Sequence, residues 1–172
     1  MDKQVQRIIE TVAAAFPVDG EIAVDGAWSG QVGLCACVPA CNEERLIGRS
    51  LLALDAALDE GDGVVVLANG CRDASARTAQ DVLQGWTRPW LLLQCEWHAG
   101  QGSAPRARRL AMDIATTLSP DALLLSTDGD TLAANGLAGA YRAAFARGGD
   151  LVCGTIDLSL IHISEPTRLR RI

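Results

Sequence analysis

The feature that most constrains this chain is a regular alternation of short apolar runs with longer amphipathic stretches. Gly33 to Val38, Val64 to Leu67, Trp90 to Cys95 and Ala122 to Ser126 are the apolar runs. Each is too short for a helix and too uniformly apolar for a half-exposed strand, which fits strands buried on both faces. The stretches between them have helical spacing. Asn42 to Glu60 places Leu46, Leu51, Leu54 and Leu58 on one face, with Gly61 as a stop. Asp73 can cap a helix from Ala74 to Gln84. Arg106 to Thr117 and Asn135 to Arg147 are further helices, the second ending at Gly148-Gly149, and Leu151 to Cys153 starts a fifth strand. Ahead of them, Val5, Ile8, Ile9, Val12 and Phe16 make Lys3 to Ala15 an amphipathic helix, and Pro17 to Gly30 is a turn-rich connector. The fold class predicted is α/β: a parallel sheet sandwiched between helices, with an extra helix at the N-terminus.

Composition narrows the partners. With 172 residues, 49% of them hydrophobic, the chain can bury one sizeable core. A formal charge of −6 argues against nucleic acid or an anionic membrane surface as the main partner. No segment is long and apolar enough to span a bilayer, and Met1-Asp2-Lys3-Gln4 lacks the opening of a signal peptide, so the expected location is cytoplasmic. Cys35 and Cys37 fall inside a buried strand and no Cys-x2-Cys partner pair exists. The six cysteines therefore read as free thiols and not as zinc ligands or disulfides.

In sheets of this kind a ligand lies beyond the carboxyl ends of the strands. That rule selects the loops Pro39 to Glu44, Ala68 to Asp73, His98 to Arg106 and Thr127 to Thr131. The last contains Asp128-Gly129-Asp130. In an extended segment, residues i and i+2 point to the same side. Two carboxylates so placed suit a hard divalent cation, Mg²⁺ or Mn²⁺, which can bridge a protein to a diphosphate. In the first loop, Pro39 ends the strand and Asn42-Glu43 opens the next helix, with Asn42 as its cap. Asn69-Gly70 is a turn pair. Gly100 and Gly102 form a flexible loop ahead of a helix whose free N–H groups can receive phosphate.

Taken in order, VPACNEE (Val38 to Glu44), VVVLANGCRDAS (Val64 to Ser75), GQGSAPRARRLAMDIA (Gly100 to Ala115) and LLLSTDGDT (Leu123 to Thr131) resemble the nucleotide-binding half of a family 2 glycosyltransferase. The resemblance covers roughly Gly33 to Gly154, where GGDLVCG resembles the strand leading into the acceptor half. It implies the GT-A fold, a nucleotide-diphosphate sugar as donor, Mn²⁺ or Mg²⁺ as cofactor, and inverting transfer of the sugar to an acceptor hydroxyl. By the same resemblance, the loop of Pro39, Asn42 and Glu43 lies against the nucleoside. Asn69 and Ala68 stand where the family often has an aspartate that bonds the base, a departure that leaves room for another base preference. Gly100, Gly102 and Arg108 would meet the diphosphate, with Arg106 and Arg109 as close rivals to Arg108. Asp130 would bind the metal, Asp128 would contact the ribose or a metal-bound water, and Gly129 would leave room for close approach. A catalytic base is expected in the acceptor half. Asp157 lies too early to match it, so no catalytic residue is assigned here.

The stretch LSLIHISEPTRLRRI, Leu158 to Ile172, resembles a translated transposase-type sequencing adapter. This predicts a truncated frame near Asp157 and divides the chain into an N-terminal helix with connector (1–30), an incomplete nucleotide-sugar-binding domain (31–157) and a non-native tail (158–172). Three alternatives stand beside this reading. A haloacid-dehalogenase-type phosphatase wants Asp-x-Asp-x-Thr or Val, whereas Thr131 directly follows Asp130. A sugar nucleotidyltransferase usually opens with a glycine-rich loop bearing Lys and Arg, which VPACNEE is not. A non-catalytic nucleotide-sugar-binding domain stays open because of Ala68 and Asn69.

Overall fold

Val, Leu and Cys runs with no polar interruption need cover on both faces, and they have it in the computed structural model of the chain, which describes residues 2–155. The readings at Asp157 and at Leu158 to Ile172 lie outside the described residues. The helices are α1 (Lys3–Ala13), α2 (Ile47–Ala57), α3 (Ser75–Leu83), α4 (Ala104–Leu118) and α5 (Leu137–Ala146). The strands are β1 (Val18–Ala27), β2 (Leu34–Ala40), β3 (Gly63–Asn69), β4 (Trp90–Trp97) and β5 (Leu123–Ser126). They form one five-stranded sheet in the order β1-β4-β3-β2-β5. Strands β4, β3, β2 and β5 run parallel, and β1 is antiparallel to β4. The result is an α/β fold with a mostly parallel sheet, compatible with a Rossmann-like arrangement.

Every residue of β2 and β3 is buried. One sheet face, carrying Cys35, Cys37, Val65, Leu67, Leu91 and Leu93, packs with Val5 and Ile9 of α1 and with Ala107, Leu110 and Ile114 of α4. Strand side chains alternate between faces. The equally buried Ala36, Val38, Val64, Val66 and Leu92 therefore face the other way. On that side α3 lies against β3 and β4 and packs on α2. Cys35 and Cys37 are thus core residues, and all six cysteines are free.

Sequence and structure part company at four places. Pro17 to Gly30 is not a connector, because β1 occupies most of it. Val18, Ile22 and Val24 pack on the core, while Gly20, at φ +71°, sits at an irregularity in the β1–β4 register. Gly26 is required within the pairing, since a Cβ there would lie 2.5 Å from the Trp90 carbonyl oxygen. Pro39 does not end its strand. It pairs with Leu67 and lies past Cys37–Ser126, the last β2–β5 pair, so its missing N–H leaves no partner on that side unsatisfied. Asn42 is not a helix cap, because its φ of +58° turns the chain left-handed and α2 begins only at Ile47. Leu151 to Cys153 form no strand. Leu151 is 84% exposed, with no apolar cover to hold it extended.

The chain divides into a unit ending at Ala140 and a second starting at Tyr141. In the second, the end of α5 is closed by Gly148, at φ +91°, whose N–H donates to the Phe145 carbonyl at 2.9 Å. Among the described residues no helix is long and apolar enough to cross a membrane.

Candidate functional site

Following the chain, β2, β3 and β4 step across the sheet in one direction and β5 returns to the other side of β2. The strand order therefore reverses between β2 and β5, and in sheets of this kind the carboxyl ends at such a reversal are where a ligand-binding crevice forms. The loop after β2 and the loop after β5 meet there. Gly129 is buried, and a Cβ on it would lie 3.1 Å from the Ala40 Cβ and 3.2 Å from the Ile47 Cδ1. Ser50 of α2 donates its hydroxyl to the Thr131 carbonyl at 2.7 Å. The Asp-Gly-Asp segment is thereby tied to the start of α2.

The segment is not extended. Thr131 N–H donates to the Asp128 carbonyl at 3.2 Å, closing a turn through Gly129 and Asp130. The turn still leaves both carboxylates exposed, because Gly129 between them is the residue pressed onto α2. Burial, then the charges of Asp130, Asp128 and Asp73 in that order, push the Glu43 carboxyl above the usual carboxylate range. Glu43, Asp128 and Asp130 therefore share one negative region at the switch point.

Arg108, in the second turn of α4, donates from Nη2 to Asp128 Oδ1 at 2.5 Å. Its rivals are occupied elsewhere. Arg106 reaches back to the Gln101 side chain and carbonyl, each at 2.5 Å, and Arg109 pairs with Asp113 one turn on at 3.5 Å. Helix α4 starts at Ala104, two residues earlier than its periodicity predicts, because Ser103 caps it and Pro105 suits a first turn. Gly102 lies against the indole of Trp97, with its virtual Cβ 3.1 Å from Cδ1. Gly100 has φ +74° and open space around its virtual Cβ.

The loops after β2 and β3 are clasped together by polar contacts. Arg72 N–H donates to Asn42 Oδ1 at 2.8 Å and Glu43 N–H to Ser75 Oγ at 2.6 Å. Glu44 N–H donates to Asp73 Oδ2, and Ala74 N–H to Glu44 Oε2, each at 3.1 Å. The Ser75 hydroxyl and backbone N–H both donate to Asp73 Oδ1, at 2.5 and 3.0 Å. The hydroxyl bond above all holds the Asp73 carboxyl below its usual range. Asn42 thus acts as a bridge to the second loop, and its left-handed backbone aims it there. Asn69, 9% exposed at the end of β3, accepts a hydrogen bond from Trp97 Nε1.

Reading the sequence alone missed Trp97, Glu44 and Ser75 as parts of this cluster. Trp97 lies two residues past the expected end of its strand, and nothing in the sequence shows that β4 carries on to it. Glu44 and Ser75 make cross-loop bonds that only the folded chain defines. Among the described residues no group of three or more His, Cys, Asp or Glu side chains is placed to hold a metal ion. Mg²⁺ commonly uses only one or two carboxylates, completed by phosphate oxygens and water, so the exposed pair Asp128 and Asp130 fits such an ion bound together with a diphosphate. The chain matches no protein-family profile, no curated protein and no solved structure.

Proposed function

We propose that this chain binds the nucleotide-diphosphate sugar donor of a GT-A glycosyltransferase resembling family 2. The observation that carries the reading is the meeting of Asp128, Asp130, Glu43 and Arg108 at the reversal of strand order, beside the clasped loops that carry Asn42 and Asn69. In this reading Pro39, Asn42, Glu43 and Asn69 form the nucleoside side of the crevice. Arg108, Gly100 and Gly102 form the diphosphate side. Arg108 is held ready by Asp128 and can turn its planar fork to a phosphate oxygen.

Asp130 and Asp128 would hold Mn²⁺ or Mg²⁺ together with the diphosphate. A bound ion of this kind neutralises charge that develops on a leaving nucleoside diphosphate. The crowding of carboxylates around Glu43 supports a cation here, since each added negative charge makes ionisation of the next less favourable until a cation arrives. The transfer step itself needs a base for the acceptor hydroxyl, and none is assigned to the described residues. A non-catalytic donor-binding domain is the second reading, drawn from Ala68 and Asn69 standing where an aspartate is usual. Sugar turnover separates the two.

The test of donor binding is thermal unfolding with a panel of nucleotide sugars, with and without Mn²⁺. Stabilisation that requires both, and that Asp130→Ala removes, is the expected result. Stabilisation by inorganic phosphate alone, or by none of the panel, contradicts the reading.

A further inference from the structure

We propose that Cys41 and Cys71 join in a reversible disulfide when the chain meets a peroxide, stapling the loop after β2 to the loop after β3. Formation of this bond does not depend on the donor-site reading.

The two thiols are neighbours. Cys71 Sγ–H donates to the Ala40 carbonyl at 3.5 Å. That oxygen and the Cys41 Cα belong to one planar peptide unit, so the Cys71 sulfur lies against the backbone of Cys41. On the other side of Cys41, Arg72 N–H donates to Asn42 Oδ1 at 2.8 Å. The two contacts bracket Cys41 and hold it to the segment that carries Cys71. A disulfide requires Cα atoms within about 7 Å, and the Cys71 sulfur already sits within a side chain's reach of the Cys41 backbone. Burial and then the charge of Cys71 raise the Cys41 thiol, ahead of Glu43, Asp73 and Glu96. Cys41 therefore feels Cys71 more strongly than it feels any carboxylate.

Exposure selects this pair from the six cysteines. Cys35, Cys37 and Cys95 are buried, Cys41 and Cys153 are exposed, and Cys71 is half-buried. Cys35 and Cys37 lie in the core under α4. Burial above all pushes the Cys95 thiol up to about 12, which keeps it protonated and inert. Cys153 belongs to the second unit. Cys41 is thus the thiol of the first unit that a solute reaches, with Cys71 beside it to resolve the oxidised sulfur.

The chemistry balances with hydrogen peroxide as oxidant. The Cys41 thiolate attacks one peroxide oxygen, the O–O bond breaks, and the hydroxide released takes up a proton to give water. Cys41 is left as a sulfenic acid. The Cys71 thiolate then attacks that sulfur, the S–S bond forms, and the hydroxyl leaves and is protonated to a second water. Two thiols have lost two electrons and two protons, and the peroxide has become two waters. The acidic surroundings disfavour the Cys41 thiolate, so the first step is slow. They also deny the reduced pair the thiolate stabilisation that makes a disulfide strongly oxidising, so the bond persists until a dithiol reduces it. Asn42 and Glu43 follow Cys41 directly, and the bond fixes the segment that sets Glu43 beside Asp128 and Asp130.

The test treats the full, reduced 172-residue chain with hydrogen peroxide, counts free thiols and maps linked peptides by mass spectrometry. The expected product is a monomer that has lost two of its six thiols, carries a Cys41–Cys71 link and recovers both thiols in dithiothreitol. Hydrogen exchange at the Glu44 and Arg72 amides should slow on oxidation. Cys41→Ser should keep Cys71 reduced, and Cys71→Ser should let Cys41 advance to the sulfinic acid, with circular dichroism confirming that both variants fold. Six intact thiols in the treated wild type, a link from either residue to another cysteine, or a disulfide dimer overturns the inference. So does Cys41 advancing to the sulfinic acid as fast in the wild type as in Cys71→Ser. Unchanged amide exchange in the linked chain overturns the stapling of the two loops.

Discussion

Arg108 and Asp128 are joined at 2.5 Å, and the bond ties the second turn of α4 to the loop after β5. The Arg108 side chain is 35% exposed and that of Asp128 59% exposed. An ion pair this open contributes about 0–1 kcal/mol to stability. Arg108→Ala should therefore lower stability by no more than about 1 kcal/mol in urea unfolding, yet weaken nucleoside diphosphate binding about tenfold or more. A large stability loss with unchanged binding would make Arg108 structural.

Glu43 gives a pH test whose sign is fixed. Its carboxyl is raised in the folded protein by burial and by the charges of Asp130, Asp128 and Asp73. The folded state then holds the proton more tightly than the unfolded chain. This contribution is fully present below the ordinary glutamate range and is lost as pH rises through the raised folded value. Glu43→Gln should flatten the pH dependence of stability on the acid side and gain on the wild type as pH rises to neutral. Unfolding curves across that range check it. A wild type whose stability relative to Glu43→Gln does not fall with rising pH contradicts the placement of Glu43 beside the two aspartates.

Asp73 has the opposite sign. The Ser75 hydroxyl bond, with backbone N–H bonds from Ser75 and Glu44, lowers its carboxyl. Its contribution is present above the ordinary aspartate range and disappears as pH falls through the lowered folded value. Asp73→Asn should destabilise the protein at neutral pH, with the gap closing in acid, and should increase hydrogen exchange at the Glu44 and Ser75 amides. Unchanged exchange there would mean that the clasp between the loops does not depend on Asp73.

Gly129 and Gly26 test two close approaches. Gly129→Ala places a methyl 3.1 Å from the Ala40 Cβ and 3.2 Å from the Ile47 Cδ1. The Ile47 Cδ1 ends a flexible side chain and can yield, whereas the Ala40 Cβ moves only with its backbone, and the expected cost is about 1–3 kcal/mol. At Gly26 the obstacle is the Trp90 backbone oxygen at 2.5 Å, which cannot yield without shifting strand pairing. Gly26→Ala should cost more than Gly129→Ala and loosen β1 from β4, seen as faster exchange at Val24 and Leu93. Equal stability of Gly26→Ala and wild type would contradict the β1–β4 register.

Much of the fold was legible in the sequence because uninterrupted runs such as Val64 to Leu67 admit few alternatives to a buried strand. The helix from Ala74 to Gln84 was found within one residue at each end, since Leu83 and Gly85 mark where its pattern stops. β1 was not legible. Its Ile22 and Val24 alternate over too short a span, and Asp19-Gly20 and Asp25-Gly26 are turn pairs, the first of which falls at a register shift while the second pairs regularly with Leu92 and Leu91. The start of α2 was misplaced for a related reason. Asn42 has the composition of a cap, but tertiary bonds to the next loop put it in a left-handed conformation instead. At the site, the sequence singled out Asp128 and Asp130 and favoured Arg108 over close rivals. It left Arg106 and Arg109 as rivals to Arg108, because helix register decides which of three near neighbours reaches Asp128.

The most direct test of the central claim is an electron paramagnetic resonance titration of Mn²⁺ against the chain, with and without a nucleoside diphosphate. With only Asp128 and Asp130 as protein ligands, Mn²⁺ alone should bind weakly, and adding the nucleotide should remove free Mn²⁺ signal beyond what the nucleotide removes by itself. Asp130→Ala should abolish that excess. No excess in the wild type, or an equal excess in Asp130→Ala, would contradict a metal-bridged diphosphate at this site.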